Sequence, residues 1–268
     1  MISRIWAIGM NTYREAIRQK VLYIFVLFTV VLFLLSLFLG QLTLGADVKI
    51  IKDMGLASMM IFGALISIFV GVGLVFKEVE RKTIYTILSK PVSRSEFILG
   101  KYLGLVMTLA VEISLMFSFL YLLLSFYKDP FDWNLLKPTI LIFVELCVLV
   151  SIALIFSSYS SSLMSIIFCT LVLVVGHLTD DLASIMLPRF EQMIQKGEGS
   201  DIFIGKTMHA LVSGLEIFSL DHFVVNTKVV HGVPVTWNFV FQGILYGICL
   251  QIVFLFTATK LFQKKDLQ

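Results

Sequence analysis

Charge is scarce in this chain. Asp, Glu, Lys and Arg make up 15% of its 268 residues, against about 25% in ordinary soluble domains, so too few charges are present to clothe a water-facing surface. Proline is rare, with 5 residues, and the 3 cysteines, Cys147, Cys169 and Cys249, each stand alone inside apolar runs. That isolation excludes a C-x-x-C redox pair, a zinc spacing and a secreted disulfide framework. Lys and Arg exceed Asp and Glu by only 3, which excludes a nucleic-acid binder and an acidic solvating tail. What is present in excess is apolar surface. Hydrophobic residues reach 58% and the mean hydropathy is +0.95, more than one soluble core buries, so the chain is an integral membrane protein.

About 20 mostly apolar residues cross a bilayer, and six such runs occur: Val21 to Gly40, Leu56 to Phe76, Tyr102 to Phe126, Thr139 to Phe156, Leu163 to Leu178 and Phe239 to Thr259. The first is longer than the core of a signal peptide and lacks a small-x-small cleavage site, so it reads as a retained helix. Orientation follows from Lys and Arg beside the spans. With the N-terminus inside, Arg4, Arg14, Arg18, Lys20, Lys77, Arg81, Lys82, Lys90, Arg94, Lys101, Lys260, Lys264 and Lys265 are cytoplasmic. The fewer outer ones are Lys49, Lys52, Lys128, Lys137, Arg189, Lys196, Lys206 and Lys228. Both termini are therefore expected in the cytoplasm of a cell (inner or plasma) membrane protein. The expected fold is all-α and divides into an amphipathic elbow helix at 1–20, spans 1 to 5 over 21–178 with a cytoplasmic loop at 77–100, an extracytoplasmic segment at 179–238, and the last span with a basic tail at 239–268.

On a helical wheel, Ile2, Ile5, Trp6, Tyr13 and Ile17 share one face of residues 1–20, opposite Arg4, Asn11, Glu15 and Arg18. Such a helix lies in the membrane interface, its basic residues toward anionic lipid. The loop at 77–100 is richer in information. Glu78, Glu80, Arg81 and Lys82 crowd charge at the exit of the second span, and Thr83 to Leu88 makes one or two helical turns. Pro91 stops that helix. Ser93 with Glu96 reads as a capping box opening the third span. Ile84, Tyr85, Ile87 and Leu88 are thereby presented to water, where a protein partner is the natural occupant.

The pattern Glu78-x-Glu80-Arg81-Lys82-Thr83, Leu88-Ser89-x-Pro91-Val92-Ser93-Arg94, Gly100-Lys101 resembles the cytoplasmic loop of ABC-2 type permeases, the membrane subunits of one large class of ATP-binding-cassette exporters. Within that class the chain looks most like the permeases of copper-enzyme and nitrous-oxide reductase maturation. The resemblance implies a homodimer bound to two separate cytoplasmic ATPase subunits that hold ATP and Mg. It also implies a coupling helix at Thr83 to Leu88, with Glu78, Glu80, Arg81, Thr83, Ile84, Tyr85, Leu88, Pro91 and Arg94 as the coupling residues. No cofactor and no catalytic residue is expected in this chain. A P-loop needs G-x-x-x-x-G-K-[ST], and the stretch ending Gly205-Lys206-Thr207 has Ser200 where its first glycine belongs.

A carboxylate at membrane depth is a functional candidate. Glu112 and Glu145 lie at similar depth on the third and fourth spans and are the translocation-path candidates; in the plainer alternative each is protonated, or pairs with a hydroxyl such as Ser114 or Ser151, and locks helices together. Ser157 to Ser162 makes a tight inner turn, and Gly71 and Gly73 suit helix packing or a dimer interface. The outer segment is expected to hold a short helix interrupted at Pro188, a re-entrant or interfacial helix at Ile202 to Leu220, and a small β-hairpin of Val224 to Val230 and Val233 to Trp237 about His231-Gly232. It leaves room for an extracytoplasmic partner at 179–238. His209, His222 and His231 lie there and His177 just before it, yet their spacing is not that of metal ligands, so no metal is expected. Nucleic acid is not a partner; membrane lipid is. Two functions fit these residues: an exporter permease, or a membrane scaffold or assembly factor that recruits a cytoplasmic partner without transport.

Overall fold

The computed structural model describes residues 2–42, 47–80, 93–126, 132–196, 200–216, 219–225, 229–230, 233 and 235–264. Among the described residues eight long helices carry the fold: α1 Ile2–Ile17, α2 Lys20–Leu42, α3 Asp47–Glu80, α4 Arg94–Phe126, α5 Leu136–Tyr159, α6 Ser162–Lys196, α7 Ser200–Glu216 and α8 Trp237–Lys264. Among the same residues there is no strand, and five stretches are long and apolar enough to cross a membrane: Asp47–Leu74, Arg94–Ser125, Trp133–Tyr159, Ser162–Thr179 and Trp237–Gln263. Counting Ile2–Ile17 and Leu22–Phe38, bent by 57°, as one broken span makes six.

The chain divides into two compact units, residues 1–169 with 225–268, and residues 170–224. In the first, α5 is the central helix. Apolar residues surround its whole circumference, and a helix of that kind has to be enclosed by protein; α3, α4 and α8 pack around it. Glycines at eight-residue spacing bring α3 close. A Cβ at Gly55 would strike Leu120 of α4, one at Gly63 would strike Leu146 of α5, and Gly71 lies against Ala153, whereas nothing approaches Gly73 within 4 Å. Gly71 is thus a packing glycine. On α2, Phe28 stacks on Phe62 of α3 and Phe33 on Phe119 of α4, while Leu27, Val31, Leu34 and Phe38 stay exposed, a face suited to lipid.

On α1, Ile2 is 82% and Trp6 51% exposed, whereas Gly9, Thr12 and Ala16 are buried. A stripe of small side chains lets two backbones approach more closely than a stripe of large ones. One expectation needs correction: Pro188 does not interrupt a helix, because α6 runs through it to Lys196. Proline forfeits one hydrogen bond and crowds the carbonyl four residues back, but Pro188 is exposed, so the carbonyl of Ser184 can tilt outward. The β-hairpin expected at 224–237 is not found among the described residues: Val229 and Val230 are helical, Val229 donates its N–H to the Val225 carbonyl at 3.1 Å, and Trp237 opens α8; Val225, Val229, Val230 and Val235 are buried, so these β-branched residues serve packing. His231-Gly232 lies outside the described residues.

The tight turn after α5 is as expected, with Ser160 donating its N–H to Phe156 and α6 starting at Ser162. At the other end of α5, Lys137 is buried; its Nζ donates to Asn134 Oδ1 at 2.8 Å and to the Val235 carbonyl at 2.7 Å, and lies 5.4 Å from the centre of the Trp237 ring. This cation ties the start of α5 to the start of α8. Lys137→Met should therefore lower stability by about 1–3 kcal/mol, read as a lower unfolding temperature in detergent; an unchanged temperature would show that the tie contributes nothing.

In the second unit, α7 packs back on the C-terminal half of α6. A Cβ at Gly205 would lie 3.0 Å from Ile194 and 3.4 Å from Met193, and His209 Nε2 lies 3.8 Å from Glu191 Oε1. The Leu220 N–H closes on the Gly176 carbonyl at 3.0 Å.

Candidate functional site

The start of α4 follows from its capping residues. Ser93 donates its N–H to Glu96 Oε2 at 2.8 Å, and Glu96 donates its N–H to Ser93 Oγ at 3.2 Å. This reciprocal box satisfies two donors that a helix start otherwise leaves bare, as the spacing of Ser93 and Glu96 predicts. Arg4 of α1 lies 3.9 Å from Glu96. Arg94 Nη1 donates to the carbonyls of Phe262 at 3.1 Å and Gln263 at 2.8 Å. Two turns into the bundle, Tyr102 donates its hydroxyl proton to Gln251 Oε1 at 2.8 Å, and Gln251 reaches the Val144 carbonyl at 3.4 Å.

α1 crosses α4 on a contact that the sequence reading passed over. A Cβ at Gly100 would lie 2.7 Å from Ile8 and 3.1 Å from the Ile5 carbonyl, one at Gly104 would lie 2.5 Å from the Gly9 carbonyl, and one at Gly9 would lie 2.7 Å from Leu103. Gly100 and Gly104 stand four apart on one face, the small-xxx-small spacing that admits a neighbouring backbone. That spacing was the available signal.

The coupling residues are placed unevenly. Glu78 and Glu80 belong to the last turn of α3, a helix of 34 residues, about 51 Å at 1.5 Å per residue and hence longer than a bilayer core of about 30 Å. Arg81, Thr83, Ile84, Tyr85, Leu88 and Pro91 lie outside the described residues. Arg94 is described, and the carbonyls of α8 occupy its guanidinium.

The translocation-path candidates lie in the interior. Glu112 is 2% exposed and Glu145 0% exposed, as the cost of a carboxylate in lipid requires. Neither pairs with the hydroxyl the sequence offered. Ser114 donates to the Ala110 carbonyl and Ser151 to the Val148 carbonyl. Both carboxyl oxygens of Glu112 are without a hydrogen-bond partner among the described residues. On the same buried face of α4, Thr108 spends its hydroxyl on the Gly104 carbonyl, and Lys101 lies over the Phe97 ring at 5.8 Å. Of the outer histidines, His177 Nδ1 donates to the Leu173 carbonyl at 3.0 Å and His222 is exposed. Among the described residues, no group of three His, Cys, Asp or Glu is placed to hold a metal ion.

A bundle of apolar helices around one enclosed helix, with polar groups buried on its inner faces, defines a multi-pass membrane protein. The chain matches the ABC-2 family transporter protein family over residues 6–267, nearly its whole length, and it belongs to that family. No curated protein matches it. Members are the membrane component of ABC transporters, the permease, and are not themselves catalytic.

Proposed function

We propose that this chain is the membrane-spanning permease subunit of an ABC-2 type exporter that dimerises with a second copy of itself and docks two separate cytoplasmic ATPase chains. ATP and Mg belong to those chains. The observation that carries the reading is the fixed frame around the loop of a protein of this family: residues 81–92 leave the long helix α3 and enter a first turn of α4 that is capped by Ser93 and Glu96 and bonded to α8 through Arg94. A segment held at a rigid frame transmits a push. In this reading Thr83 to Leu88 is the coupling helix, α2 is the first of six spans, both termini are cytoplasmic as the Lys and Arg distribution directs, and α1 lies in the interface with Ile2 and Trp6 in lipid. Of the two path candidates, Glu112 faces the path of the cargo and Glu145 holds neighbouring helices together. The likeness to copper-enzyme maturation permeases rests on the loop pattern alone.

Leu88→Asp should abolish capture of the ATPase without unfolding the permease, since an apolar side chain buried at such a contact is worth roughly 1.5–3 kcal/mol. Tyr85→Ala should weaken capture in the same sense. Capture by the Asp variant at wild-type strength would overturn the coupling assignment. Hydrolysis then separates transport from scaffolding: an exporter raises or lowers the ATP turnover of its partner when cargo or lipid is added, and a scaffold leaves it unmoved.

A further inference from the structure

We propose that the last turn of α8 belongs to the coupling apparatus, with Arg94 as the positioning residue that makes α8 follow the cytoplasmic loop. This rests on the reading of 77–100 as the ATPase-facing loop. The sequence offered Arg94 as a residue that touches the ATPase, but its Nη1 is spent inside the permease, on the carbonyls of Phe262 and Gln263. The last carbonyls of a helix have no partner within it and carry partial negative charge, so a guanidinium there is a charge-assisted clamp. One turn further along α4, Phe97 stacks on Phe262 with ring centres 5.6 Å apart and planes 16° apart, both side chains buried. Residues 94 and 97 share a face of α4 and therefore grip the same turn of α8 at two points, which resists hinging better than one.

A third tie lies deeper, where the Tyr102 hydroxyl meets Gln251. The two helices are thus joined along their inner halves, and a displacement entering α4 at Ser93 has no soft joint at which to dissipate before α8. Because α8 also packs along α5, the movement reaches the centre of the bundle. The clamp, and not the covalent chain, makes this connection, since Arg94 and Phe262 are 168 residues apart.

The test uses the full chain purified with its ATPase. Spin labels are placed at Ser95→Cys, half-buried, and Gln263→Cys, exposed, in a Cys249→Ser background, and the distance between them is measured without nucleotide and after trapping with ATP, Mg and vanadate. The expected result is one narrow distance in both states. Arg94→Ala should broaden it and lower permease-dependent ATP hydrolysis about tenfold while ATPase capture stays at wild-type strength, and Arg94→Lys should recover part of both. A loss of stability alone would not leave capture intact while uncoupling turnover. A wild-type distance that shifts between the two states, or full permease-dependent turnover by Arg94→Ala, overturns the relay. A chain that captures no ATPase overturns the loop reading and the relay with it, whereas capture with either of those two results overturns the relay only.

Discussion

Gly104→Val is expected to release α1 from α4 while the bundle around α5 stays folded. A Cβ at Gly104 would lie 2.5 Å from the Gly9 carbonyl and 2.6 Å from Thr12 Cβ. The first of these is backbone and cannot rotate aside, so the helices must separate. Overpacking of this kind costs about 1–3 kcal/mol, and separation also weakens the neighbouring contacts of Gly9 and Gly100, which depend on the same closeness. A further link at this end, Arg4 to Glu96 at 3.9 Å with Arg4 half exposed, is worth little by itself. A cysteine at Ala16, buried in the wild type, should then react with a maleimide in the Cys249→Ser, Gly104→Val background and stay unreactive when Gly104 is kept. Equal protection in both would show that α1 is held by something other than the glycine crossing.

Glu112→Leu is expected to raise the unfolding temperature, the opposite of what removal of a structural hydrogen bond does. A buried carboxyl with no partner contributes a desolvation cost and nothing to offset it, so an apolar side chain of similar size should gain about 1–3 kcal/mol. At this chain length that is about 2–4 °C per kcal/mol. Glu112→Gln should leave assembly with the ATPase intact and abolish export, because the amide fills the same space but can neither carry a proton nor meet a cation. Export at the wild-type level by the Gln variant would remove Glu112 from the path, and a lower unfolding temperature for the Leu variant would show that its carboxyl holds the bundle together. Glu145 is also fully buried; Glu145→Gln is expected to export normally, since the amide fills the same space and keeps the hydrogen bonds that a protonated acid would make.

Much of this was legible in one dimension. Hydropathy marks α2 to α6 and α8 because water excludes long apolar runs whatever their neighbours. The box of Ser93 and Glu96 is legible because its partners are three residues apart, and the burial of Glu112 and Glu145 follows from the cost of charge in lipid alone. Where a local signal misled, a packing interaction overrode it. Val225, Val229, Val230 and Val235 suggested strands, but their side chains serve burial. Pro188 suggested a break, but its exposed position makes the lost hydrogen bond affordable.

By itself, then, the sequence determined that the protein crosses a membrane, roughly where it does so, and which polar groups must turn inward. Only the tertiary structure decided that the small stripe Gly9, Thr12 and Ala16, and not Ile2 and Trp6, is the inner face of α1, and that Arg94 serves α8. The reason is that lipid and protein interior are equally apolar. Hydropathy separates both from water but cannot separate one from the other, so the choice of face falls to close packing of small residues, and the choice of partner to bonds between side chains and a backbone far away in the chain.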